Sequence, residues 1–418
     1  MKQPPISIPL MQRGVTLVEL MVAMVLALVV ALVIAQAGTM WEGTKRSTTA
    51  LGSGTVSAAL ALTAIQRDIG QSGYGVMMSG AAGCWAQAQA RNGDIERFQL
   101  APILITRGDN GSPDRIRILV TDTTNFATPM GTAQDHHSDD SVFHMQEGVS
   151  FGARRGDLML AVPKSGCSSD LEFPTSDAIT ATVFNLSEAP SEGKLTHEEG
   201  DFGPWNHNGK DTLFPDINGK GLNYEAGHHI YNLGRPESRL GVPLYREYYL
   251  ANDADGIPTR LVMRTVTATG SVASASVAAG GNNLSVAKIT SRVDQLATNV
   301  VQLAAVYGRD TSDPPDGIVD EWDSDRPNTA RGWQRVLAVR LAVVVRSNKP
   351  EKEEVTDGKP STGGGDCTGA LSTTNYPTWK PNGVDTRCLN LAGVPDFRRY
   401  RYQVYETTIP MRNVLWQN

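Results

Sequence analysis

The chain has 418 residues, 40% of them hydrophobic and 20% charged, with 44 acidic against 38 basic side chains and a formal net charge of −6. This length suits one large domain or two small ones, and this apolar fraction supports a sizeable core, so wholesale disorder is excluded. The acidic balance argues against nucleic-acid binding through bulk basicity, and no nucleic-acid partner is expected.

The apolar residues are concentrated at one end. Every side chain over residues 20–35 is apolar, and across 15–37 only Thr16, Glu19 and Gln36 interrupt the run. As a helix this stretch would reach roughly 35 Å, enough to cross a hydrocarbon layer of ~30 Å. No other stretch compares, so a single membrane span with the body on one side is expected. Lys2 and Arg13 precede the run and no acidic residue does. The positive-inside tendency then keeps the N-terminus cytoplasmic and sends the body across. A cleaved secretory signal would need a small-x-small site after the run, and Ala35-Gln36-Ala37 fits that loosely. Glu19 argues against it, because a carboxylate inside an apolar signal region is costly in lipid.

The string Gln12-Arg13-Gly14-Val15-Thr16-Leu17-Val18-Glu19-Leu20 resembles the type IV prepilin signature. That signature is a basic residue, a glycine, a cleavage point, and an apolar helix whose fifth mature residue is Glu. The resemblance implies a class III leader, residues 1–14, cut before the apolar segment. Gly14 would be the last leader residue, read by a membrane prepilin peptidase. Val15 would become the first mature residue and be N-methylated. Glu19 would pair with the terminal amine of a neighbouring subunit during assembly. Val15 departs from the usual Phe, and Gln36 stands where many major pilins carry Pro. A lone carboxylate in lipid is expensive and a cation relieves it; the plainer alternative is a charge that snorkels to the interface.

Beyond the span, Trp41, Val56, Ala59, Leu60, Thr63, Ile65 and Ile69 recur at three- and four-residue steps. This predicts one helix over 15–70, its second half packed on a sheet and stopped by Gly70-Gln71-Ser72-Gly73. Residues 71–418 read as a mainly-β globular domain. The expected class is α+β, a long N-terminal helix packed on a large antiparallel sheet. Strands are expected at 115–121, 158–162, 179–184, 244–250, 261–266, 300–307, 336–345 and 400–408 from alternating or continuous apolar runs. Residues 293–303 fit helix or strand. Residues 267–283 read as a hairpin or linker, and 349–388 as a closed functional loop outside the core.

The segments 300–310, 333–347 and 397–416 resemble the PilW family of minor pilins. They comprise a strand ending in Tyr-Gly before an acidic loop, the run Val-Arg-Leu-Ala-Val-Val-Val-Arg-Ser, and the final Arg-Arg-Tyr-Arg-Tyr. The family implies a pilin helix on an antiparallel sheet. It also implies a role in priming type IV pilus assembly at the filament tip, supporting twitching motility and attachment. The partners implied are prepilin peptidase, other minor pilins and the major pilin, a large adhesin-like tip protein, the inner-membrane assembly platform and membrane lipid. The location implied is the inner membrane with a periplasmic body, then the pilus. A type II secretion pseudopilin of the J type, or a membrane-anchored periplasmic binding module, are the alternatives.

Cys84, Cys167, Cys367 and Cys388 form no Cys-x-x-Cys pair, and an oxidising compartment would favour two disulfides. Of the three possible pairings, Cys367–Cys388 would close the 349–388 loop and leave Cys84–Cys167. The acidic run 310–321 offers a calcium site at Asp310, Asp316 and Asp320, with Gly317 permitting the turn. Ser312 and Pro314 break the EF-hand spacing, and a solvated acidic turn is the alternative. Asp135-His136-His137-Ser138-Asp139-Asp140 and His228-His229 read as solvated loops, since adjacent histidines point apart. No nucleophile elbow, Ser/His/Asp order or phosphate loop is present, so no enzyme and no cofactor beyond that calcium is expected.

Overall fold

A computed structural model describes residues 16–73, 82–90, 94–120, 129–146, 152–164, 179–198, 205–206, 221–236, 241–269, 288–356, 376–391 and 393–415. The chain divides into two units, Met1–Ser53 and Gly54–Asn418. Helix α1 (Leu17–Gln71) runs from one into the other. Its segment Leu17–Gly38 has mean hydropathy 3.0 and buries none of its side chains within the chain, as a lipid-facing helix would. At the far end Ser72 donates from its N and its Oγ to Ile69 O, and Gly73 takes φ +73°. That left-handed residue just past the last turn is a common helix C-terminus.

The second unit carries three main sheets. The first runs in spatial order β2 (Ile95–Gln99), β1 (Trp85–Gln89), β8 (Ile179–Asn185), β7 (Leu158–Val162), β10 (His229–Gly234) and β5 (Met130–Gly131). Its pairs are antiparallel except β1 with β8, which is parallel. The second is β13 (Lys288–Thr298), β12 (Pro258–Thr269), β11 (Val242–Asn252), β4 (Arg115–Leu119) and β3 (Ile103–Thr106). The third is β15 (Glu321–Asp323), β14 (Val300–Arg309), β16 (Val336–Arg346) and β19 (Tyr402–Pro410). Two short pairs, β6 (Val142–His144) with β9 (Lys194–Thr196) and β17 (Thr378–Trp379) with β18 (Arg387–Cys388), complete the strands among the described residues. The expected α+β class with a mostly antiparallel body is what the chain adopts.

Helix α1 meets the second and third sheets through Ala58, Ala61, Ile65 and Ile69, all buried with Ile116, Ile118, Tyr248, Leu303, Val339 and Leu341. The stripe differs from the expected one. Val56 and Leu60 are 60% and 66% exposed, while the small Ala58 and Ala61 face inward. Small side chains let the helix axis approach the sheet, so the packed face is the one with least bulk. One turn further, Asp68 is buried and accepts from Arg246 Nη1 through both oxygens, at 2.8 and 2.9 Å, and from Tyr248 Oη at 2.7 Å. This charged clamp fixes α1 to β11 in register.

Strand β16 is buried on both faces, as its continuous apolar sequence predicts. One face packs on α1. The other is covered by the chain from Tyr376 to Val394, where Trp379, Cys388, Leu389 and Leu391 bury against Val301, Ala342 and Val344. The distal part of the 349–388 segment is therefore core, not an excursion. Residues 357–375 lie outside the described residues. Residues 293–303 split at Asn299, whose φ of +59° ends β13 and begins β14. Residues 267–269 extend β12, and 270–287 lie outside the described residues.

Gly308 is required where it stands. A Cβ there would lie 2.7 Å from the Trp322 ring, which instead lies flat enough for the Arg340 guanidinium to stack at 4.3 Å. Tyr307 beside it is buried, accepts from Ile105 N at 2.7 Å and meets Trp333 edge-on at 5.9 Å.

Candidate functional site

The first candidate site is the start of α1. Thr16 N and Oγ1 each donate to Glu19 Oε2 at 3.0 Å, and Glu19 N donates back to Thr16 Oγ1 at 3.3 Å. This is a reciprocal capping box, the Thr-x-x-Glu pattern at a helix N-terminus. That spacing was available in the sequence as a helix-start signal in addition to its prepilin reading. Glu19 is exposed, with no other side chain of the chain bonded to it among the described residues. Gly14 and Val15 lie outside the described residues.

The second is the acidic turn after β14. One carboxylate oxygen from each of Asp310, Asp316 and Asp320 comes within 4.8 Å of the others. Asp310 is buried and accepts from Ser312 N at 3.1 Å and Gly317 N at 2.8 Å. Gly317 has φ +78°, the turn that brings its N–H back to Asp310. Asp320 Oδ2 accepts from Thr311 N at 2.9 Å and Ser312 Oγ at 3.0 Å. The backbone bond from Thr311, and then the Ser312 hydroxyl, hold its carboxyl below the usual range. Asp313 and Glu321 do not join this group: Asp313 lies 3.7 Å from Arg331 and Glu321 lies 3.8 Å from Arg309. The donor set is hard oxygen, which suits calcium, and Asp310, Asp316 and Asp320 would hold it. Calcium binding would stabilise the folded chain by mass action, so millimolar calcium should raise the melting temperature relative to chelator. Asp316→Ala should abolish that rise. No shift in the parent protein would leave these carboxylates as a hydrogen-bonded turn.

The cysteines come third. Cys84 and Cys388 are both disulfide-bonded, and no described cysteine is free. Cys167 and Cys367, and with them the pairing, lie outside the described residues.

The histidines differ from the sequence expectation. His136, His197 and His228 are buried, not solvated. His136 Nε2 and His197 Nε2 are 2.8 Å apart, and His136 stacks on Phe143 with ring centroids at 3.8 Å. Thr132 Oγ1 lies 2.7 Å from His228 Nδ1. Adjacent residues do point apart, so one member of each pair enters the core while His137 stays outside. Polar flanks hid His136 and His197 in the sequence. Burial pushes His136 and His228 down to about 4 and His197 well below the usual range, with Asp140 opposing at His136 and the Glu225 carbonyl, then Asp135, opposing at His228. Folded values below the unfolded one mean that the unfolded chain binds more protons under pH 6.5, so stability falls on acidification. Between pH 7 and 5 His136 and His228 should each cost about 2 kcal/mol. Thermal melts across that range would show the loss, and His136→Phe should flatten the slope. An unchanged melting temperature from pH 7 to 5 would contradict it.

Two comparisons with known proteins bear on these sites. Residues 10–35 match the prokaryotic N-terminal methylation motif, which takes in Gly14, Val15 and Glu19. Residues 247–413 match the family described as type IV pilus-assembly protein W, which takes in β12–β19, the acidic turn and Cys388. No curated protein and no solved structure matches the chain.

Proposed function

From a chain that carries a type IV prepilin methylation motif at one end and a PilW-family region towards the other, we infer a minor pilin that acts at the filament tip. The observation that carries this reading is the joint occurrence of the two. The leader and apolar helix make the chain a type IV pilus-associated pilin, and the body has the sheet region of an assembly protein rather than of an uncommitted anchor.

The mechanism follows from the first turn of α1. Cleavage between Gly14 and Val15 leaves a free amine one turn from Glu19. In lipid, the cost of Glu19 is eased because one of its oxygens, Oε2, accepts from Thr16 N and Oγ1. A subunit staggered by one step offers its amine, and the carboxylate exchanges a local neutral partner for a cation. Partners on this reading are prepilin peptidase, the other minor pilins, the major pilin, a large tip protein and the assembly platform. The body is periplasmic before assembly and on the fibre after it. The disulfide reading proposes Cys367–Cys388 and Cys84–Cys167, each adding ~3 kcal/mol mainly through the unfolded chain.

Deletion of the gene tests the reading. Loss of surface pili and twitching is expected, with complementation by the intact gene. Loss of exoprotein secretion with normal pili would assign the chain to a type II secretion pseudopilus. No change in either would leave a membrane-anchored binding module.

A further inference from the structure

A cleft of about 330 Å³ opens between the loop that follows β3, one margin of β14 and the β17–β18 pair. It exists because β14 pairs with β16 along its length but with β15 only over Tyr307–Arg309. The upstream margin of β14 is closed by side chains instead of a strand. Asp114 N donates to Leu303 O at 2.8 Å, and Asp114 Oδ2 accepts from Ala305 N at 2.9 Å. Its other oxygen accepts from Gly108 N at 3.2 Å. Gln302 donates to Gly111 O at 2.8 Å and accepts from Leu303 N at 3.1 Å. The acceptors on the cleft floor are thus committed to the chain's own N–H groups.

Two arginines line the same cleft, Arg107 on the loop and Arg387 on β18. Neither side chain makes a hydrogen bond or an ion pair among the described residues, whereas those of other arginines around the third sheet do. Arg309 pairs with Asp323, Arg340 donates to the Lys380 and Pro381 carbonyls, and Arg401 pairs with Glu351. Asp114 interacts with Arg107 at longer range, and burial pushes its carboxyl up. Asp109 is the other acid on the loop, and it is exposed. Trp379, Ser112 and Asn390 complete the wall. Cys388, next to Arg387, is disulfide-bonded, which pins the segment that presents that guanidinium.

We propose that this cleft binds a small ligand bearing an oxyanion, an acidic sugar being its representative. Guanidinium forks match carboxylate geometry through paired, charge-assisted bonds. Trp379 contributes apolar surface and the exposed Ser112 a neutral hydroxyl for a hydroxylated ring. The site lies on the body, away from the residues that process and assemble the chain, so it stands whether or not the pilin reading does.

The test uses the full chain solubilised in detergent, titrated calorimetrically with galacturonate, galactose and inorganic phosphate. Galacturonate should bind with a Kd of about 1 mM or tighter, and galactose at least tenfold more weakly. Arg107→Ala with Arg387→Ala should weaken galacturonate at least about tenfold, and Arg292→Ala on the exposed β13 should not. Phosphate competing with galacturonate, with the same sensitivity to the two arginines, would support an oxyanion site that reads the anion alone. If the double alanine variant fails to fold, Arg107→Lys with Arg387→Lys keeps the charges, loses the forks and should still weaken binding. No anion binding at about 10 mM, equal binding of galactose, or undiminished binding by a folded double variant would overturn the proposal.

Discussion

Glu19→Ala should cut the amount of this protein in sheared pili at least about tenfold at equal cellular level, while leaving it in the membrane. Two roles of Glu19 are entangled in that loss. It caps α1 through Thr16, and on the pilin reading it would supply the charge that a neighbouring amine requires. Removing a cap costs about 1 kcal/mol of local helix stability. Losing a cation partner in lipid is worth more, because there the amine has no water to fall back on. Glu19→Gln separates the two. Its amide oxygen still accepts from Thr16 and it carries no charge. Incorporation of Glu19→Gln as poor as that of Glu19→Ala is expected. Normal incorporation of the glutamine variant would show that capping suffices, and normal incorporation of both would make the charge incidental.

The second large effect concerns Asp68. Asp68→Ala should destabilise the second unit by about 2–3 kcal/mol, below the roughly 3–5 kcal/mol for breaking a fully buried pair because the Arg246 side chain is 31% exposed. The substitution removes the acceptor for both Arg246 and the fully buried Tyr248 hydroxyl, and an unmatched buried donor carries its own desolvation cost. Asp68→Asn keeps one oxygen for Tyr248 and should lose less. Denaturant unfolding of the detergent-solubilised chain measures the difference. A loss under about 0.5 kcal/mol for the alanine variant would show that helix packing through Ile65 and Ile69 suffices without the clamp.

What the sequence made legible follows from how strongly local pattern and burial agree. Residues 158–162 read as a strand and form one at those bounds, and 336–345 read as central and are buried on both faces. Both are apolar runs whose pattern has no competing reading. Asp310, Asp316 and Asp320 were legible as a group because they share one loop, and their oxygens converge. Contacts made at long range were not. Nothing local in 376–391 marks it as core, because its buried residues are spread thinly among Gly, Pro and Lys; only the second apolar face of β16 requires a cover. His136 was hidden for the same reason, since Asp135 and Ser138 flank the His136-His137 pair. Asp68 follows the polar Gln66 and Arg67, and nothing local marks it as buried, since its partner lies 178 residues away. The cleft arginines could not have been singled out, because their distinction is that neither side chain is hydrogen-bonded or ion-paired among the described residues, which sequence does not display.

Intact mass of the membrane-extracted protein tests most directly whether this chain is processed as a prepilin. A mature chain that begins at Val15, carries one N-terminal methyl group and keeps its apolar helix is expected. A chain that begins near Gly38, or one that retains residues 1–14 in a strain with active prepilin peptidase, would contradict it.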